Sequence, residues 1–540
     1  MKYNIILIAI LFIGNLHAQY NFEVSKSLSN DFGEELVTIA EDDGKVYFYD
    51  RDRMAIVAYD IASDTYKATD KNYFKEAGVI EPNTRFDQLK FVSGDYFVVC
   101  YTNKSKEKGY GNAFFFLYFD KNTMNFSKKV VYHTTLESKW GTGFTLIVSE
   151  NKKYLAVDFT ELEVINKKEK QKHAKIIVLD VAEAKIFEVE DGSFSANSDF
   201  ENKKTEYNNV QVSNEGDVFA EYSIKENYDG PLVSATGAGY KKINEELKKM
   251  EDSEITGVVK FTRDMPPAYK EVDISFDVQS YRFTWDNETK TLHCVYLGFL
   301  GEKETNSVSI YNSYTYIKYD KDLNQVKITA EEDFDQDLIE DANQGIEYNK
   351  IKDTNYGLTS FYLDDMYVLD SKPLLIFVHK VIEKTYCSSN FGCKDFCFYP
   401  SFLIVFLDEK GEVEDYSVVK RWNSDGGDDF GKELSLHKVL KNDGGVYILA
   451  NFNNRFDPFD NEKKIEATQL AYCKISEDRE IYFSKILDFK DANYLGLVSN
   501  VKISQLNEGN CVIKFQQENK GNVPDDLKKY KYFYGNIKLK

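Results

Sequence analysis

The chain has 540 residues, 42% hydrophobic and 15% aromatic, which is enough to fill a large core and excludes a disordered chain. Its 89 acidic residues outnumber 68 basic ones, for a formal net charge of −21. Such a surface excludes nucleic acid and anionic membrane as partners, since those contacts are driven by Lys and Arg meeting phosphate, whereas cationic partners or Ca²⁺ are compatible with it.

The first element is a leader. Lys2 is a short basic start, Ile5 to Ile13 an apolar run, and Leu16-His17-Ala18 a small-residue junction before Gln19. This is the pattern of a cleaved export signal over residues 1–18, leaving 19–540 as a single mature domain. The apolar run is shorter than the roughly 20 residues a spanning helix needs. No Cys follows the junction to carry a lipid, so the expected location is secreted or periplasmic, without membrane insertion.

Pairs of apolar runs joined by tight polar turns then follow along the whole chain. LVTIAEDDGKVYFYD (36–50), LKFVSGDYFVVCY (89–101), FTLIVSENKKYLAVDF (144–159), VQVSNEGDVFAEYS (210–223), FTWDNETKTLHCVYL (283–297), a degenerate YLDDMYVLDSKPLLIFVHK (362–380), LHKVLKNDGGVYILANF (436–452) and VKISQLNEGNCVIKF (501–515) make eight copies of one hairpin. Turns such as Asp43-Gly44, Glu215-Gly216 and Glu508-Gly509 supply the positive-φ positions that hairpins demand. A second hairpin follows the first, with Asp60, Asp120, Asp180, Asp320 and Asp408 each closing an apolar run, as in FFLYFDKNTMNFSKK and TYIKYDKDLNQVKI. Four short strands therefore make one unit, and the unit recurs.

Self-similar four-stranded antiparallel units with aromatics and glycine resemble the β-propeller repeat proteins over nearly the whole mature chain. The likeness is to the superfold alone: there is no Trp-Asp blade ending, no kelch double glycine and no Ser-x-Asp-x-Gly-x-Thr-Trp box. It implies an all-β fold of seven or eight blades and carries no function. A pair of β-sandwiches would leave the repeated Asp31-Phe32-Gly33 and Asp429-Phe430-Gly431 motif unexplained. The last unit ends in KYKYFYGNIKLK (529–540) with no room for a fourth strand, and YNFEVSKSL (20–28) resembles the outer strands of other units. The mature N-terminal strand is thus expected to complete that unit and close the ring, removing two sheet edges.

In such a meander the turns between strands 1 and 2 and between strands 3 and 4 lie at one end of the blade. These are uniformly short, whereas the other end collects the inserts 103–112, 161–173, 226–253, 301–313, 383–400 and 453–468. Within the largest, Tyr240, Ile243, Leu247 and Met250 at helical spacing predict a small helix near 238–251. Long loops gathered on one rim are where such scaffolds carry function.

Candidate site residues are few. Trp422 beside Arg421, and Trp140, lie in blade-to-blade links on the long-loop face. Asp457 and Asp460 lie in an oxygen-rich loop there, a weak Ca²⁺ candidate without the ligand order of an EF-hand. Cys387, Cys393 and Cys397 share one insert, and in an oxidising compartment a disulfide between Cys387 and Cys397, which flank that insert, is expected. Zinc is disfavoured because no Cys-x-x-Cys pair and no nearby His accompany them. No Gly-x-Ser-x-Gly, His-Glu-x-x-His or phosphate loop is present. The expectation is a secreted, non-enzymatic binding or scaffolding propeller that meets a protein or glycan ligand at its long-loop face. The alternative is an extracellular hydrolase or lyase whose residues come from several blades into the axial funnel.

Overall fold

The computed structural model describes residues 23–24, 36–42, 45–50, 53–60, 63, 65–70, 73, 89–93, 96–104, 112–134, 144–164, 170–189, 203–226, 255–272, 274, 276–299, 310–328, 332–343, 357–388, 392–424, 437–442, 445–452, 469–488, 502–505, 510–517 and 531–538. The fold is all-β and of the β-propeller class, apart from one described helix. Eight sheets of four or five strands follow one another along the chain, beside a two-stranded sheet of Ile310–Tyr311 with Leu358–Thr359. Blade 3 is representative: Phe144–Val148, Tyr154–Val164, Lys170–Asp180 and Lys185–Val189 pair antiparallel in chain order. Blade 8 differs, because Lys502–Gln505, Asn510–Gln517 and Lys531–Lys538 take Glu23–Val24 as their fourth strand. Glu23 pairs with Asn536 and Val24 with Gly535, the strand pairing that the sequence predicts between these two segments.

Contacts gather the chain into two compact units, one of Met1–Ala68, His379–Phe402 and Val419–Lys540, the other of Thr69–Val378 and Leu403–Val418. In the second unit each blade lies face to face with the next. Phe114 and Phe116 of blade 2 pack on Leu155, Val157 and Phe159 of blade 3. Ala156 and Val178, on the other face of blade 3, meet Val218 and Ala220 of blade 4. Phe219 in turn stacks on Trp285 of blade 5, ring centroids 4.3 Å apart, and Val295 and Leu297 join Leu375 and Phe377 of blade 6. Middle strands covered on both faces read as continuous apolar runs, as in Leu374-Leu375-Ile376-Phe377, each at most 1% exposed. Outer strands such as Thr65–Ala68 are exposed throughout. In the first unit, Val46–Tyr49 and Ala55–Tyr59 form the buried middle of blade 1, and Val446–Ala450 with Ala471–Cys473 that of blade 7.

The repeated aspartates have a local task at the tight-turn end. Asp120 Oδ1 accepts from the amides of Asn122 and Thr123 at 2.8 and 3.2 Å. Asp320 Oδ1 accepts from Asp322 and Asn324 at 2.9 and 2.8 Å, and Asp408 Oδ1 from Lys410 and Glu412 at 2.7 and 2.9 Å. Each is an Asx turn that lets the side chain satisfy amides the ladder leaves over. An asparagine belt links the 1–2 turns of three consecutive blades. The Asn151 amide donates to Asn214 Oδ1 at 2.8 Å, the Asn214 amide to Asn287 Oδ1 at 2.8 Å, and Asn287 Nδ2 returns to Glu150 Oε2 at 2.9 Å.

Two expectations need correction or relocation. The register of the hairpin within blade 6, Val381–Ser388 with Gly392–Leu407, sets Cys387 opposite Cys393 and Cys397 opposite Ile382. Four steps of about 3.3 Å separate Cys397 from that rung, beyond the roughly 7 Å that a disulfide can span, so the register opposes a Cys387–Cys397 bridge. The helix near 238–251 lies outside the described residues. The described helix, Gln336–Asn343, instead docks Leu338, Ile339 and Ala342 into the core shared by blades 5 and 6. At its end Asn343 Nδ2 donates to the Gly357 carbonyl at 2.9 Å.

Candidate functional site

The sheets are built differently at their two ends. Among the described residues of blade 3 the first strand reaches back to Phe144, opposite Phe159, and the fourth to Val189, opposite Ile176. Strands 2 and 3 continue beyond both. Five further rungs, from Thr160 opposite Ala174 to Val164 opposite Lys170, form a ribbon with no lateral strand among the described residues. In blade 6 the corresponding connection is the hairpin from Val381 opposite Phe398 to Ser388 opposite Gly392. Neither is a structureless loop, as the bare inserts 161–173 and 383–400 imply.

At the base of the blade 3 ribbon sits Asp158, on the face toward blade 4 with Thr145 and Ile176 as its neighbours across the sheet. Burial holds its carboxyl up at about 6, because a charge there has little water to solvate it. Counting from the tight turn, Glu221 occupies the same place in blade 4 and is 2% exposed. Two neighbouring blades thus carry an acid where blades 5 and 7 carry the apolar Val295 and Leu449.

The first strands of blades 4, 5 and 6 bring together a second polar group. Arg282 Nε donates to the Asp364 carbonyl at 3.3 Å, and Nη1 to Asn209 Oδ1 at 3.4 Å and to the Tyr281 carbonyl at 3.3 Å. Asn209 lies in a bulge of the ladder with φ of 48°, a left-handed conformation that Asn tolerates better than most residues. The Tyr367 hydroxyl donates to Asp365 Oδ2 at 2.7 Å, and the Met366 amide to Oδ1 at 2.9 Å. Burial raises the Asp365 carboxyl above its usual range, although those two hydrogen bonds pull the other way. Tyr367 is held protonated by burial and by the carboxylate, so it is a donor and not a base. The group locks three first strands together and leaves Arg282 Nη2 without a partner among the described residues.

The residues singled out from sequence fare unevenly. Arg421 is 1% exposed, its guanidinium 5.6 Å from the Tyr399 ring and 5.2 Å from the Phe402 ring, as part of the blade interior. Trp422 follows it in the strand Val413–Ser424. Trp140, Asp457 and Asp460 lie outside the described residues. Sequence reasoning missed Arg282, Asn209 and Asp365, and the available signal was polarity inside otherwise apolar first strands. His293 is fully buried, bonded through Nδ1 to the Tyr316 hydroxyl at 2.8 Å and through Nε2 to Thr291 Oγ1 at 2.9 Å. Burial pushes its pKa down to about 3, which keeps the ring neutral as a packing residue. Among the described residues no three His, Cys, Asp or Glu side chains gather as a metal set, and no helix is long and apolar enough to cross a membrane.

No family model matches the chain, and no characterised protein matches it in sequence. Among solved structures, the WD40 domain of SCAP from fission yeast is similar over 96% of this chain and 98% of its own, at 8% identity and a TM-score of 0.35. The polysaccharide lyase Uly1 is similar over 95% of this chain and 91% of its own, at 8% identity and a TM-score of 0.35. A mutant of Trypanosoma rangeli sialidase displaying trans-sialidase activity is similar over 84% of this chain and 54% of its own, at 9% identity and a TM-score of 0.29. The blade order and cross-blade cores, and not these likenesses, define the fold.

Proposed function

We propose that the protein is an exported binding or scaffolding module, its residues 1–18 a cleaved signal and 19–540 one propeller domain, that engages a protein or glycan at the ribbon end of its blades. The observation that carries this reading is the blade 3 ribbon, whose five rungs beyond the sheet have no lateral strand among the described residues. An open edge offers a row of backbone donors and acceptors, and adding a strand to it is a recurrent mode of peptide recognition. The polar groups of the first strands support the same reading. Tyr367 and Asp365 satisfy each other, and Arg282 is held by three carbonyl or amide oxygens, so the cluster resembles a set of fasteners more than a poised base and nucleophile. Trp422, Trp140, Asp457 and Asp460 remain our residues of choice around that rim, whereas Arg421 is taken up in the blade interior.

The second reading, a hydrolase or lyase, draws on Asp158 and Asp365, whose carboxyls burial raises toward the range of a general acid. A thermal-shift screen of the mature chain against extended peptides, soluble glycans and Ca²⁺ separates the two. The parent is expected to be stabilised by one peptide or glycan class, and a variant in which Leu162–Lys172 is replaced by Asn-Gly is expected to lose that response. A ligand that stabilises both equally would remove the ribbon from the site, and turnover of any screened polymer would establish the enzyme.

A further inference from the structure

We infer that the blade 6 ribbon is fastened by a disulfide between Cys387 and Cys393, with Cys397 left as a free thiol. Backbone register selects this pair. Cys387 and Cys393 are direct partners across the antiparallel ladder, one rung from the turn where Ser388 meets Gly392. Directly opposed residues share one face of a ribbon, with Cα atoms about 4.5 or 5.5 Å apart according to whether the rung is hydrogen-bonded. Both spacings fall inside the range of about 4.4–6.8 Å that a disulfide accepts. Cys397 sits four residues further along the same strand as Cys393, opposite Ile382, and is out of reach of either partner. Of the three pairings that these cysteines allow, the register admits one.

The chemistry balances with an external disulfide as oxidant, either oxidised glutathione or a protein disulfide donor. One thiolate attacks a sulfur of the donor to give a mixed disulfide and release one donor thiolate. The second thiolate then attacks the protein sulfur of that mixed disulfide. The Cys387–Cys393 bond forms, the donor is reduced to two thiols, and the two cysteine protons pass to them. Cys100, Cys294 and Cys473 stay out of this exchange, because each is buried in a blade and burial raises its thiol, Cys473 to about 12. The bond ties the ribbon tip with seven residues in its loop, counting both cysteines, at the end of the blade proposed to meet a partner. The inference stands on register and is independent of that proposal.

Trypsin cuts after Lys384, Lys394 and Lys410, which places Cys387 and Cys393 in one peptide, 385–394, and Cys397 in the next, 395–410. The folded, full mature chain is equilibrated with oxidised glutathione, alkylated without reduction, digested and weighed. The expected result is peptide 385–394 unalkylated and two hydrogens lighter than its reduced form, with peptide 395–410 separate and alkylated once. A single species linking the two peptides would mean that Cys397 is bridged and would overturn the assignment. So would double alkylation of 385–394. Cys393→Ser is expected to expose Cys387 to alkylation while leaving the far-ultraviolet spectrum unchanged, and a Cys387 that stays blocked in this variant would likewise count against the pair.

Discussion

Each blade has one end sewn tightly and one end left long, and the contrast separates what the repeat is for from what the individual blades add. At the tight end the same devices recur: an aspartate bonded to its own turn in Asp120, Asp320 and Asp408, and asparagines that reach across to the next blade. These groups satisfy turn amides locally and link the turns of successive blades. At the long end the described residues differ more from blade to blade. Blade 3 extends into a ribbon and blade 6 inserts a hairpin, while blades 3 and 4 place Asp158 and Glu221 in the sheet interior, where a buried acid opposes stability.

The contrast predicts a gradient of effects. The largest belongs to Gly445, which closes the 1–2 turn of blade 7 at φ 127°, where an added Cβ would lie 2.1 Å from the Ile475 carbonyl oxygen. Gly445→Ala is expected to destabilise by about 3 kcal/mol or more, from backbone strain and displacement of the neighbouring strand, as read from urea unfolding. Next comes Asn287→Ala, which removes the acceptor for the Asn214 amide and the Trp285 indole and a donor to Glu150. The loss of three bonds at the belt is expected to cost about 2 kcal/mol. Equal stability of Asn287→Ala and parent would mean that the belt is decorative.

At the long end the sign reverses. The folded Asp158 carboxyl titrates near 6 against an ordinary 3.8, so the folded chain holds the proton more tightly than the unfolded one. Its favourable contribution is fully present below about 3.8 and is lost as pH rises through about 6. Asp158→Asn is therefore expected to stabilise by about 1–2 kcal/mol at pH 8 and to make little difference at pH 4. A variant less stable than the parent at pH 8 would assign the carboxylate a structural partner. The smallest effect is expected from replacing Leu162–Lys172 by Asn-Gly, which joins Glu161 to His173 through a hairpin turn of favourable twist. Stability should change by about 0.5 kcal/mol or less, while ligand response is lost; a large destabilisation would make the ribbon part of the core.

The same division sets what could be read from the chain itself. Alternating turns and apolar runs are local, so the hairpins, the Asp-closed turns and the pairing of Glu23–Val24 with the last blade are legible in the sequence. The sixth copy is hard to see because its third strand, Gly392–Leu407, runs without a break from the ribbon into the blade and hides the boundary. Contacts between blades are another matter. Arg282 meets Asn209 and Asp364, which stand 73 and 82 residues away, and nothing in the local pattern of any one strand marks the partnership. The helix Gln336–Asn343 was passed over because its stretch is mostly acidic and amide residues, with only Leu338, Ile339 and Ala342 turned inward. Cysteine pairing turns on a third point: flanking an insert says which residues lie at its base, whereas register decides which face each other.

Glu23–Val24 and Lys531–Lys538 are made at opposite ends of translation, yet they are neighbours in one sheet. The first strand must wait for nearly the whole chain before its own partner exists. Until residue 531 has emerged, Glu23–Val24 has no edge to join, and the strand Asn510–Gln517 presents its open side to whatever chaperone or protease is near. Blade 8 therefore depends on segments far apart in the sequence: loss of residues 531–538 would leave both Glu23–Val24 and Asn510–Gln517 without the strand they share.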